Sequence, residues 1–229
     1  MLHYRHLMLL VAVLMSCFAG IVSAQDYAWI EGEKPTSTNY DVHMSGWGNP
    51  QYMSGGSWAH LSDQDKKNWP DGGFRLTYDF EVPSAGNYEV WGRLGFRRLW
   101  YPFEWRVDDG EWQVVERDNY PAVDFMPIQR WNKMVWTRFD AVELDAGQHR
   151  LELRLTKAAA EENEKQRLLW AADAFCLYKG SWRPNGKVQP GQDWRTEQDL
   201  EAERHVFQLP EVAAAGAREE ISLAGNWQL

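Results

Sequence analysis

Cysteine is nearly absent: the 229-residue chain holds only Cys17 and Cys176. Cys17 falls in an N-terminal apolar segment, so Cys176 alone remains in the body and no intramolecular disulfide can form there. Its setting, Ala174-Phe175-Cys176-Leu177, is that of a small buried hydrophobe. Positive charge is also short. Lys and Arg number 24 against 33 Asp and Glu, a net charge of -9, which argues against nucleic acid or an anionic membrane surface as the main partner. The longest apolar run, residues 7–14, is too short and too poorly flanked for a membrane span. His43, His60, His149 and His205 lack zinc spacing, and there is no Gly-rich phosphate loop or serine elbow. Carboxylates are plentiful, but none forms an identifiable acid and nucleophile pair. No catalytic residue is expected within this chain.

The first 24 residues read as a signal peptide. Arg5 supplies the positive end, residues 7–14 the apolar stretch, and Val22-Ser23-Ala24 a small-residue cleavage site before Gln25. The expected location is therefore secreted or periplasmic. Lipid attachment through Cys17 in Leu14-Met15-Ser16-Cys17 is the rival, and Met15 fits it poorly.

Tryptophan is the abundant residue, with 14 copies. Most read as core by strand parity. Trp and Tyr also offer flat apolar faces on which sugar rings can stack. The pattern around them is that of strands. Phe74, Leu76, Tyr78, Phe80 and Val82 alternate with Arg75, Thr77, Asp79 and Glu81, giving one dry face. A turn at residues 83–86 leads to a second strand with Tyr88, Val90, Leu94 and Phe96 on one parity. Trp91 and Trp136 break the dry-face parity and point to packing under loops. Residues 97–102 form an aromatic, cationic loop, and Asp108-Asp109-Gly110 closes a hairpin. These strands read as a meander in need of a second sheet. Residues 116–130, with Pro121 and Pro127, read as irregular. Leu151, Leu153 and Leu155 mark a further strand, and residues 169–178 the last.

About nine strands and no strong helix predict an antiparallel β-sandwich of the jelly-roll type over residues 25–179. Residues 180–218 read as a linker with a short helix capped by Thr196. Residues 219–229 read as the first strand of a second β domain that is cut short.

Four segments, in order, carry a resemblance. They are Ile30-Glu31-Gly32-Glu33, residues 82–91 (VPSAGNYEVW), residues 144–151 (LDAGQHRL) and Ala172-Asp173-Ala174-Phe175. Together they resemble the β-sandwich carbohydrate-binding modules of families six and thirty-five across residues 27–179. The hairpin at 103–112 looks like a version found ahead of secreted glycosidases. The tail at 221–229 is similar to the opening strand of family two glycoside hydrolases. The resemblance implies a structural calcium ion held by Glu31, Glu33 and Asp173, with Gly32 a harmless replacement for the usual Ala. Calcium takes about six to eight oxygens, and two same-face carboxylates repel without a cation. A solvated strand face with Arg partners is the other reading of Glu31 and Glu33.

The resemblance also implies two loop aromatics for sugar, which map onto Trp58 and Trp131. The family's Asn before the last-strand Asp has no match here, because Ala171 stands in its place. Trp100 and Tyr101 are independent candidates from their loop, with Arg97 and Arg98 able to pair with an acidic sugar. The expected function is non-catalytic binding of polysaccharide or oligosaccharide, holding a C-terminal glycosidase domain on its substrate. The alternative is a structural sandwich that packs on that domain and binds no sugar.

Overall fold

A computed structural model describes residues 26–45, 50–97, 101–115, 121–129, 132–157 and 168–195, together with 197, 200 and 201. The signal-peptide and Cys17 expectations, the Thr196 cap and the strand at 219–229 lie outside the described residues. The chain divides into two compact units, Met1–Trp194 and Arg195–Leu229.

The first unit is an antiparallel β-sandwich. Its strands are β1 (Tyr27–Glu31), β2 (Ser37–Thr38), β3 (His43–Ser45), β4 (Trp58–Ser62), β5 (Phe74–Val82) and β6 (Gly86–Arg97). They continue as β7 (Phe103–Val107), β8 (Gln113–Val115), β9 (Ala122–Gln129), β10 (Asn132–Leu144), β11 (Gly147–Leu155) and β12 (Leu169–Lys179). The larger sheet runs β3-β4-β12-β6-β10-β9, with β1 also paired to β12. The smaller runs β2-β5-β11-β7-β8.

Between the sheets lies one core. Phe74, Leu76, Tyr78, Phe80 and Val82 enter it from β5, Tyr88, Val90, Leu94 and Phe96 from β6, and Leu151, Leu153 and Leu155 from β11. Strand parity assigned each of these inward. It did not assign the sheets. β5 and β6 were expected to pair as neighbours in a meander, yet they lie in opposite sheets. The turn between them carries the chain over the edge of the sandwich, which keeps the dry faces of both strands on the same core. The hairpin at Asp108 is as expected: β7 pairs with β8, Phe103 opposite Val115.

The segment at 122–129 is a strand rather than irregular chain. β9 is an edge strand bonded only to β10, so Pro127 need not donate to a second neighbour, and the register slips beside it.

The smaller sheet turns a polar face outward. Arg150 pairs with Asp79 at 2.8 Å and Arg106 with Glu152 at 2.5 Å. Arg154 pairs with Glu104, and the guanidinium groups of Arg106 and Arg154 both lie over the Trp112 ring. The larger sheet is dry on both faces. Its outer face carries two further clusters, one around Met53, Trp58, Ile128, Met134, Leu169 and Ala171, the other around Trp91, Trp136, Ala174 and Cys176. Trp91 and Trp136 break parity for this reason.

What covers the second cluster corrects the linker boundary. Residues 181–194 belong to the sandwich. Trp182 meets Trp136 and Trp91 edge-on at 5.1 and 6.0 Å between centroids and stacks on Tyr178 at 6.1 Å. The buried Trp136 Nε1 donates to the Gly186 carbonyl at 2.7 Å, and the Tyr27 hydroxyl reaches Gln189 at 3.1 Å. A strap with these contacts is folded structure, and the Gly and Pro content that reads as a linker serves its turns.

Gly32 is also corrected. It donates its N–H to the Asp173 carbonyl at 2.8 Å, and a Cβ there would lie 2.2 Å from the Ala172 carbonyl oxygen. Ala is therefore not a harmless exchange in this chain.

Two outcomes follow from these contacts. Gly32→Ala will lower stability by about 1–3 kcal/mol, the usual range for forced overpacking. Thermal denaturation reads this, and an unchanged midpoint contradicts the close approach of β1 to β12. In a chain starting at Gln25, Cys176 is the only thiol. It will resist an aromatic disulfide reagent in the native state while the strap is present and react rapidly once the chain is ended after Gly180. Equal rates for the two chains would show that the strap does not cover the cluster.

Candidate functional site

The site is built on a charged pair buried in the larger sheet. β6 and β12 are adjacent, and their register shifts between Ala172 and Ala174, so Asp173 is an extra residue in the ladder. Its carboxylate lies beside Arg93. Arg93 is 1% exposed and Asp173 0%. Arg93 Nη1 donates to Asp173 Oδ2 at 2.7 Å and to the Tyr52 carbonyl at 2.6 Å. Asp173 Oδ1 accepts the Ser54 N–H at 3.0 Å. Burial pushes the Asp173 carboxyl up to about 6, against the pull of Arg93 and the Ser54 N–H, and the charge of Glu31 adds to the rise.

These bonds hold the loop at residues 50–57 on the outer face of the sheet. They leave the other edge of the guanidinium unused: among the described residues Arg93 Nε and Nη2 have no hydrogen-bond partner. Arg93 lines a cavity of about 190 Å³ together with Gln51, Tyr52, Met126, Gly186, Lys187 and Trp194. The loop supplies one wall, the edge strand β9 another, and the strap a third. Lys187 Nζ donates to the Gln51 carbonyl at 2.5 Å, closing strap against loop. Asp124, at a positive φ of 54°, accepts the Gly186 N–H at 2.7 Å and ties the strap to β9.

Trp194 is 42% exposed. Its indole fills the space where a Cβ of Gly186 would stand, with Cδ1 2.1 Å from that position. Nε1 lies 3.2 Å from Asn185 Oδ1. Gly186 has φ +61° and no side chain, so both the turn and the seat of the ring depend on it. The result is a half-exposed flat ring beside a buried, partly unsatisfied guanidinium, with an ammonium at the rim. The surface the cavity exposes is mostly apolar, so what it offers a flat ring is stacking on the indole.

The residues expected from sequence fall elsewhere. Trp58 is fully buried in the outer cluster, its ring packed where a Cβ of Gly95 would be. Tyr101 is 1% exposed and belongs to the central core, with Lys66 Nζ 5.6 Å from its ring centre. Neither presents a face for stacking, which corrects the expectation for both. Trp100 and Trp131 lie outside the described residues, as does Arg98. Ala171 is buried among Met53, Trp58 and Met134, an apolar setting in which an Asn amide would lack partners.

The expected metal ligands are only partly together. Glu31 Oε1 accepts the Trp29 indole N–H at 3.0 Å, while Glu31 Oε2 and Glu33 Oε2 are buried without a partner among the described residues. Burial raises the Glu33 carboxyl above its usual range, and Glu31 raises it further. Glu33 Oε1 lies 2.1 Å from where a Cβ of Gly55 would be. This pair fits a cation. The Asp173 side chain does not join it, because both its oxygens are already bonded within the protein. Among the described residues no group of three His, Cys, Asp or Glu side chains is spaced to hold a metal.

The sequence reading missed Tyr52, Arg93, Lys187 and Trp194. A signal existed for Arg93: a long cation on the outward parity of a strand whose outward neighbours are Trp91 and Gly95 is out of place on an apolar face. Trp194 and Lys187 gave none, since both sit in the stretch that reads as a linker.

No family model matches this chain, and no curated protein matches it. Among solved structures it is similar to the Podospora anserina GH26-CBM35 β-(1,4)-mannanase at 15% identity and a TM-score of 0.42, covering 73% of this chain and 31% of that one. It is similar to the C-terminal CBM6 of LamC, a marine laminarinase from Zobellia galactanivorans, at 18% identity and a TM-score of 0.38, covering 67% and 99%. It is also similar to the insecticidal crystal protein Cry2Aa at 9% identity and a TM-score of 0.43, covering 66% and 21%. The chain thus matches about a third of the mannanase's length and about a fifth of the crystal protein's.

Proposed function

We propose that the sandwich is a carbohydrate-binding domain without catalytic activity of its own, and that the cavity between the loop at 50–57, β9 and the strap is where sugar binds. The observation that carries this reading is the Trp194 ring, half exposed and fixed on Gly186 at the cavity. A sugar ring stacked on the indole would bring its hydroxyls to the rim, near the side chains of Lys187 and Gln51. The ordered segments that resemble carbohydrate-binding modules support the same conclusion from sequence. In the full reading the domain belongs to a secreted glycoside hydrolase and keeps the catalytic domain near polysaccharide, raising the local substrate concentration.

Affinity electrophoresis against a panel of plant, algal and host glycans tests the reading. The intact chain will be retarded by at least one of them. Trp194→Ala will weaken that retardation by about 30-fold in affinity, the effect of removing an aromatic anchor worth about 2 kcal/mol. Its melting point will change little, because the ring is at the surface. A chain that no glycan retards leaves the structural alternative standing.

Calcium belongs to this proposal in a reduced form. Glu31 and Glu33 would hold it, with backbone carbonyls completing the shell, and it would neutralise two half-buried carboxylates. A chelator will then lower the melting temperature of the native chain and leave that of Glu31→Gln/Glu33→Gln unaltered. The same melting point with and without chelator in the native chain would remove calcium from the account.

A further inference from the structure

We propose that Asn185 is a site of spontaneous modification promoted by the fold: its side-chain amide is displaced by the Gly186 nitrogen, and the product releases the strap. The proposal is independent of what the cavity holds.

Asn185-Gly186 is the only Asn-Gly pair in the chain. Asn is a thermolabile residue, and its amide is lost when the next backbone nitrogen attacks Cγ. A following Gly favours the attack, because no Cβ stands in the way. Asn185 is exposed to water, whereas Gly186 is buried.

The fold adds two groups to this pair. The Gly186 N–H donates to Asp124 Oδ2 at 2.7 Å, so a carboxylate already holds the proton that the attacking nitrogen must lose. That bond lies in the peptide plane, while the nitrogen attacks through electrons perpendicular to the plane, so holding the proton does not block the attack. Asp124 is half-buried on β9, which fixes the base to the sheet rather than to the strap. The second group is the Trp194 indole. Its Nε1 donates to Asn185 Oδ1 at 3.2 Å and faces the oxygen on which negative charge gathers.

The step balances with water alone. The Gly186 nitrogen bonds to Asn185 Cγ as Asp124 takes its proton. The Cγ–Nδ2 bond then breaks, and Nδ2 leaves as ammonia with that proton. The product is a five-membered cyclic imide. One water opens it at either carbonyl, leaving aspartate or isoaspartate at this position.

Isoaspartate carries the backbone through the former side chain and lengthens it by one carbon before the Gly186 nitrogen. Gly186 is where the strap is fixed. Its N–H is held by Asp124, its carbonyl accepts the Trp136 indole N–H at 2.7 Å, and the Trp194 ring occupies the place of its Cβ. An added backbone atom pulls these contacts out of register. The strap then leaves, uncovering Trp136 and Cys176.

Peptide mapping by mass spectrometry of the full chain, aged at neutral pH, tests both parts. The native chain will accumulate aspartate and isoaspartate at Asn185 about 10-fold or more faster than the same chain unfolded in guanidinium chloride, a modest effect for a positioned base because a carboxylate is weak against an amide N–H. Asp124→Asn keeps an oxygen to accept the Gly186 N–H but removes the base, and will bring the native rate down to the unfolded one. Trp194→Phe keeps a ring and removes the donor, and will slow the native rate several-fold. In the isoaspartate fraction Cys176, read from its own peptide, will react rapidly with the aromatic disulfide reagent, while aged Asn185→Gln stays protected. A native chain modified no faster than the unfolded one, or Asp124→Asn modified as fast as the native chain, overturns the promoted site. An isoaspartate fraction with Cys176 still protected overturns the release of the strap.

Discussion

Arg93 and Asp173 meet in the dry middle of the larger sheet, and much of the outer face depends on their pairing. Neither charge is tolerable there alone, since an unpaired ion in such a setting costs several kcal/mol. Paired, they are still not satisfied by one another. Each reaches out to the backbone at residues 52–54, and this pins a Gly- and Ser-rich loop to a sheet face it would otherwise leave. The ladder is bulged at Asp173, where the register shifts between Ala172 and Ala174. The loop that forms one wall of the cavity is held by this electrostatic demand.

The two sheets treat water differently. The smaller one shows solvent a lattice of Arg, Glu and Asp whose members satisfy each other across neighbouring strands. Such a face is stable without a partner. The larger sheet has apolar clusters on its outer side and needs a lid, which the loop and the strap provide. The cavity opens where the two lids approach without closing. Its floor is part of the sheet, so the site inherits the rigidity of β6, while its walls are loop and strap.

Much of the fold could be read directly, because parity along a strand is a local property. The alternation in β5, β6 and β11 assigned their inward residues one by one. Pairing between strands is not local, and it failed at the turn of residues 83–86, where a hairpin and a crossing look alike in sequence. Pro127 hid a strand because an edge position forgives it. The site was less legible. Trp58 and Tyr101 are aromatic and near loops, but burial depends on distant residues such as Gly95 and the rest of the core. Trp194 and Lys187 acquire meaning only when the strap folds back more than ninety residues from Arg93. The strand period puts Glu31 and Glu33 on one face, while the ligand role expected of them rests on the resemblance. That Asp173 turns to Arg93 rather than to them depends on the pairing of β6 with β12, which is not local.

The strap has a consequence for how the domain responds to what it holds. The cavity exists only while residues 181–194 are docked, so docking and occupancy form a single equilibrium. A ligand at one hundred times its dissociation constant adds about 2.7 kcal/mol to the docked state. Sugar would then act as a clasp on the chain's exit from the sandwich, and the point at which that exit becomes free would shift with the glycan concentration around it.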